Sequence, residues 1–206
     1  MSEIVESKPS LANVIKVDVI IVGAGLSGIS AAYHLQKHCP QKTYLILEGR
    51  DAIGGTWDFF RYPGVRSDSD MYTLGYSFEP WGGVKMFSDG PAISDYVRKT
   101  ASKYKITENI KFNSKVERAS WSSVESKWTI EVDTPDSEAP VYYSCDFMFS
   151  CSGYYDYEQA HQPEFKNRED FEGEFIHPQF WPEGLVYKDK EVIVIGSGAT
   201  AVTLLP

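Results

Sequence analysis

The chain has 206 residues, 42% hydrophobic and 24% charged, with a formal net charge of −9. That length allows one large domain, or one and a fraction, with a substantial core, and the composition is ordinary for a globular protein. The acidic balance argues against nucleic acid or an anionic membrane surface as a general partner, and three cysteines (Cys39, Cys145, Cys151) without Cys-x-x-Cys spacing indicate neither a disulfide framework nor a metal site.

Residues 1–12 read as a loose polar arm, without the basic-then-apolar order of a signal peptide. No apolar run reaches membrane-spanning length, since Asp18, three glycines and His34 interrupt Val17 to Leu35. A reduced, cytoplasmic setting is the expectation.

Val19 to Val22 is a short apolar run rich in β-branched residues, as in a parallel strand buried on both faces. Gly23, Gly25 and Gly28 follow at G-x-G-x-x-G spacing. The first serves a tight turn, the second lets a pyrophosphate approach the backbone, and the third lets a helix pack close to the strand. The helix is expected from about Gly25 to His38, ending at Cys39-Pro40, with its positive dipole end facing the loop. A second strand, Tyr44 to Leu47, ends in Glu48, 20 residues beyond Gly28. A dinucleotide fold places its ribose-binding acid there, and a carboxylate would repel a 2′-phosphate, so this site suits FAD or NAD rather than NADP.

Gly54-Gly55 marks a turn, and the stretch from Arg61 to Tyr72 is dense in Arg, Asp and aromatic residues beside the dinucleotide loop, which points to binding. Asp89-Gly90-Pro91 opens a helix with Ile93, Tyr96, Val97, Ala101 and Tyr104 on one face, a core stripe. Ile110 to Phe112 reads as a strand, Lys115 to Trp121 and Lys127 to Val132 as a hairpin, and Val141 to Tyr143 as a third strand. Cys145 to Phe149 is the candidate return strand to the main sheet. Tyr154 to Tyr187 carries three prolines without a strong period and reads as a connector.

Glu191 to Ala201 then repeats the opening device: a buried-strand pattern at Val192 to Ile195, then Gly196, Gly198 and Ala201 as G-x-G-x-x-A. Two such units in one chain imply two dinucleotides. A βαβ unit needs about 30 residues, so the second unit reads as truncated, the whole as an N-terminal fragment. Residues 199–206 are expected to be too short to persist as a helix, leaving an apolar tail that frays or self-associates. The fold class is α/β: a Rossmann-like FAD-binding domain, a parallel sheet with an inserted antiparallel β-meander, over 13–156. A linker at 157–188 and the start of an NADP-binding Rossmann domain at 189–206 follow.

Phe171, Gly173, His177, Trp181 and Pro182 fit F-x-G-x-x-x-H-x-x-x-W-P. The chain thereby resembles the Baeyer–Villiger (class B flavin) monooxygenases. Gly-Gly-Thr-Trp at 54–57, Arg-Tyr-Pro-Gly-Val-Arg-Ser-Asp at 61–68 and His-Pro-Gln-x-Trp-Pro-Glu at 177–183 look most like the branch that includes the ethionamide-activating monooxygenase. The resemblance implies FAD over Gly23, Gly25, Ser27 and Gly28 with its ribose on Glu48. It implies a flavin-side wall from Gly55, Thr56, Trp57, Asp58 and Phe59, adenine near Val116, and Cys151, Ser152 and Gly153 near the pyrophosphate. Arg66, Ser67, Asp68 and Tyr72 would lie in a loop shared between flavin and NADP(H). Gly196, Ser197, Gly198, Ala199, Thr200, Ala201, Val202 and Thr203 would begin the NADP loop. His177 would couple domain positions rather than do chemistry, and Asp68 would position a catalytic cation. The implied reaction inserts one oxygen of O2 into a ketone, or oxidises sulfur, through a C4a-peroxyflavin, with the fragment itself inactive. The alternatives are a flavin-containing N- or S-monooxygenase and a non-catalytic FAD-binding module.

Overall fold

The computed structural model describes residues 14–205, so the arm expected at 1–12 and Pro206 lie outside the described residues. Two compact units are present, one formed by residues 14–53 with Ala101–Ser152 and the other by Gly54–Thr100 with residues 153–205.

The first unit holds two sheets. Strands β1 (Ile15–Lys16), β2 (Val19–Val22), β3 (Tyr44–Leu47), β4 (Ile110–Lys111), β5 (Lys115–Ser122), β6 (Lys127–Asp133), β7 (Val141–Cys145) and β8 (Phe147–Ser150) occur in chain order. The parallel sheet runs β4-β3-β2-β8, and the second sheet, β1-β7-β6-β5, is the antiparallel meander with β1 added in parallel. Helix α1 (Leu26–His38) crosses from β2 to β3.

Strand β2 is apolar at every position because both its faces are covered. Ile20 belongs to a buried cluster with Leu47 and with Ile130, Val132, Tyr143 and Cys145 of the meander. Ile21 points the other way, and its side chain is 3.5 Å from where a Cβ on Gly28 of α1 would lie. Both isoleucines are fully buried, each burial contributing about 2–3 kcal/mol. Helix α1 stops at Cys39, whose N–H donates to Leu35 O at 2.8 Å, before Pro40.

Two details of this unit differ from the sequence reading. Strand β1 is exposed and two residues long, too short to leave a pattern. Cys145 belongs to β7, opposite Trp128, and the return strand starts at Phe147. Asp146 and Phe147 both donate backbone N–H groups to Asp18 O, which marks the change of sheet.

The second unit has no sheet among its described residues and is held by aromatic and helical packing. It contains α2 (Thr56–Phe59), α3 (Met71–Leu74), all but the end of α4 (Gly90–Lys103), and α5 (Ala199–Leu204). Asp89 caps α4 by accepting from Ala92 N at 2.9 Å, and Ile93, Val97 and Ala101 form its buried stripe; of the five residues expected there, Tyr96 is half-buried and Tyr104 lies beyond the helix end. Phe59 stacks on Tyr157 with centroids 4.3 Å apart, and Phe60 meets Tyr155 edge-on at 4.9 Å.

The tail corrects two expectations. Val192 to Ile195 does not form the expected buried strand: Val192, Ile193 and Ile195 are exposed, and no ladder is made. A strand needs a neighbour to accept its hydrogen bonds, and none of the described residues offers one. Residues Ala199–Leu204 do form a helix despite their shortness, because Thr203 is buried against side chains of the second unit.

Candidate functional site

In the parallel sheet Val22 lies opposite both Leu47 and Ser150, so Gly23, Glu48 and Cys151 leave the sheet at one edge. Backbone bonds fix these exits: Gly23 N donates to Leu47 O at 2.8 Å and Cys151 N to Val22 O at 2.9 Å. β2 has β3 on one side and the much later β8 on the other, so the chain order reverses there. Open α/β sheets bind nucleotides at the carboxyl end of such a switch point.

Two of the three glycines are sterically required. Gly23 has φ +101°, and a Cβ on it would lie 2.6 Å from Cys151 O. A Cβ on Gly28 would lie 1.9 Å from Gly23 O. Gly25 caps α1 with φ −81° and ψ −169°, and no side chain takes part in that cap. The first N–H groups of a helix lack intrahelical partners, and with the dipole they favour an anion. Ser27 stands exposed on this first turn.

Glu48 is 7% exposed. Its Oε2 accepts from Ala24 N at 2.7 Å, inside the glycine turn, and its Oε1 accepts from Arg50 N at 2.9 Å. A carboxylate has about four acceptor positions, so the two oxygens retain capacity for a ribose diol. A turn packed too closely at Gly23 and Gly28 for side chains, opening on a helix N-terminus with an acid beside it, fits a dinucleotide. Val116 is half-buried at an irregularity of β5, where the pairing with β6 shifts between Val116 and Arg118. Ser152 is exposed directly after Cys151, whose thiol burial pushes up and keeps protonated.

The remaining candidates lie in the second unit. Gly54 and Gly55 take φ +133° and +55°, the turn expected of them, ahead of Thr56, Trp57, Asp58 and Phe59 in α2. Asp58 is 2% exposed and paired with Arg98 and, at 3.4 Å, with Arg61. Its carboxylate therefore ties α2 to α4, a role that sequence reasoning missed because Arg98 is distant in the chain. Ser67 is buried, and its Oγ accepts from Ser88 N at 3.1 Å. Asp68 is exposed and makes no ion pair among the described residues. The neighbouring Tyr155 phenol is pushed up to about 12 by burial, by its hydrogen bond to Tyr154 and by nearby groups including Tyr62 and Asp68. Tyr72 is exposed on α3, and Gly153 takes φ +75°.

The second glycine turn repeats the backbone of the first. Gly196 has φ +132°, and Gly198 caps α5 with φ −77° and ψ −179°. A Cβ on either would meet nothing within 4 Å, unlike the crowded Gly23 and Gly28. Ser197 is exposed; Ala199, Thr200, Ala201, Val202 and Thr203 lie in α5, Arg66 donating to its last turn.

The fingerprint segment is mostly exposed, Phe171 and Pro182 included, but His177 is half-buried. His177 Nδ1 accepts from Gln179 N at 3.2 Å, capping the 3-10 turn Pro178–Phe180. Gln179 is buried and donates to Asp156 O at 2.6 Å. Gly173 packs under the Phe171 ring, and Trp181 meets Tyr187 edge-on at 5.9 Å. Burial, then the charge of His161, holds the His177 imidazole below its ordinary value. The fold thus favours neutral His177. The turn is expected to be fully stable above about pH 6.5, the unfolded value, and to loosen as pH falls through the lower folded one. Faster exchange of the Gln179 amide on acidification, beyond the intrinsic rate change, checks this; a pH-independent protection factor counts against it.

Residues 21–99 match an NAD(P)-binding Rossmann-like domain, and residues 76–205, more than half the chain, match the flavin-binding monooxygenase-like family. The FAD-containing monooxygenase EthA of Mycobacterium tuberculosis is 54% identical over 92% of this chain. The chain spans 38% of the length of that relative. Among solved structures, an open form of cyclohexanone monooxygenase superposes with a TM-score of 0.78 at 28% identity, covering 92% of this chain and 37% of that one. A steroid monooxygenase bound to NADP gives 0.76 at 26% identity, covering 92% and 36%. These relatives bear out the resemblance read from the fingerprint and from the loops at 54–57 and 61–68.

Proposed function

The chain belongs to the flavin-binding monooxygenase-like family, and we propose that it holds the FAD of an FAD- and NADPH-dependent monooxygenase. The observation that carries this is Glu48, buried at the end of β3 with Oε2 on Ala24 N of the glycine turn. The turn would receive the diphosphate on backbone N–H groups, and Glu48 would accept from the ribose hydroxyls. Segment 55–59 and the exposed Asp68 would serve the flavin side.

Held there, FAD would supply the oxygen chemistry with NADPH and O2, conversion of a ketone to an ester or lactone, or oxidation of sulfur. In this reading Asp68 would position a cation for that chemistry, and its exposed carboxylate, without an ion pair among the described residues, is available for one. The Gly196–Gly198 turn is read as the opening of the NADP site, because its backbone repeats that of the first turn.

The chain as given is expected to copurify with, or take up, one FAD, and to show no steady NADPH oxidation, since Val192 to Ile195 has no sheet around it. Absorbance spectra and calorimetry with FAD, beside an NADPH-consumption assay, check both halves. Failure to bind FAD overturns the first, and steady turnover overturns the second.

A further inference from the structure

Helix α5 has six residues, and a helix that short is marginal without tertiary support. Thr203 is its buried residue, at 4% exposure. Three features of one loop in the same unit meet it. Tyr62, itself buried, places its OH 3.0 Å from Thr203 Oγ1. Arg66 donates from Nη1 to Thr203 O at 2.8 Å and from Nη2 to Val202 O at 3.2 Å. Gly64 takes φ +80°, and a Cβ on it would lie 2.3 Å from Thr203 O. The last carbonyls of a helix lack intrahelical partners and carry the negative end of its dipole, so a guanidinium there is favourable. Each feature alone has a structural explanation; together they bind the loop to α5 from its side and its end.

We propose that Tyr62, Gly64 and Arg66 form a clamp that sets the position of α5, and through it of the Gly196–Gly198 turn, for the second nucleotide. The inference rests on the reading of that turn given above. Arg66 is a positioning residue here: it reaches carbonyls at the far end of α5 from the turn, so it acts on the nucleotide only through the helix. The clamp belongs to the loop that directly follows α2, so the segment assigned to the flavin side and the helix assigned to NADP are fastened through one stretch of chain. Rotation of α5 would then require breaking the two Arg66 bonds and the Tyr62 bond together.

The test compares Arg66→Gln, Arg66→Lys and Tyr62→Phe with the parent chain. Without nucleotide, amide exchange is followed at Val202 and Leu205, whose N–H groups bond to Gly198 O and Ala201 O. Arg66→Gln and Tyr62→Phe are expected to speed exchange there by about tenfold, Arg66→Lys by less, with β2, β3 and β8 unchanged. With excess FAD present, contact of millimolar NADP+ measured by saturation-transfer NMR should weaken in parallel. Unchanged exchange, or equal acceleration in β2, overturns the clamp. Faster exchange with unaltered NADP+ contact, or no NADP+ contact in the parent, overturns the positioning role. Gly196→Val separates the two ideas: if NADP+ contact survives it, the turn is not the nucleotide's, whatever the exchange data show.

Discussion

Gly28→Ala is expected to leave the protein without flavin and to destabilise its first unit by about 3 kcal/mol or more. The added Cβ would lie 1.9 Å from Gly23 O and 3.0 Å from Gly23 C. Both atoms are backbone, and Gly23 is itself pinned by its hydrogen bond to Leu47 O. No flexible side chain can move aside, so α1 must shift away from β2 and uncover Ile21 and Ile29, both fully buried. The same shift would carry the helix N-terminus away from the proposed diphosphate position, so the loss of flavin is expected to exceed the loss of stability. Gly82→Ala is the control: a Cβ there meets nothing within 4 Å, and its cost should stay within about 0.5 kcal/mol. Urea unfolding with flavin absorbance reads both. If Gly28→Ala behaves like Gly82→Ala, the close packing of α1 on the turn is wrong.

Much of this unit is legible in the sequence because its reasons are local. The run Val19 to Val22 reads as a two-face-buried strand because one face meets the meander and the other meets α1. Glu48 is found from spacing alone, since one strand, one turn, one helix and a second strand fix its distance from Gly28. The features that escaped depend on distant partners. Strand β1 exists only by pairing with β7, and Arg98 is recognised only once α4 is laid beside Asp58. Val192 to Ile195 has a strand's composition without a strand's neighbours, so pattern predicted an element that pairing does not supply. Helix α5 is the converse case, short by propensity yet held by Tyr62 and Arg66. The implied site residues divide along the same line. Gly23, Gly25, Gly28 and Glu48 assemble by local folding, whereas Asp58 is consumed by ion pairs that no motif announces.

Glu48→Arg is expected to abolish FAD binding, and Glu48→Gln to weaken it by about tenfold or more, while the chain stays folded in the second case. Glu48 accepts two backbone N–H groups from a site 7% exposed. Glutamine keeps the shape and one acceptor oxygen, but turns the other end into a donor that must face either Ala24 N or Arg50 N. It would also replace the proposed charge-assisted bonds to the ribose with neutral ones. Arginine removes every acceptor and sets a cation against the positive end of α1, so it injures fold and site alike. The graded pair separates these effects. Thermal unfolding without flavin reports the fold, and calorimetric titration with FAD reports the site. A Glu48→Gln variant as stable as the parent but much weaker for FAD supports the ribose contact. Retention of parental FAD affinity by either variant would remove Glu48 from the nucleotide site and leave its carboxylate only the structural task of bridging the glycine turn to Arg50.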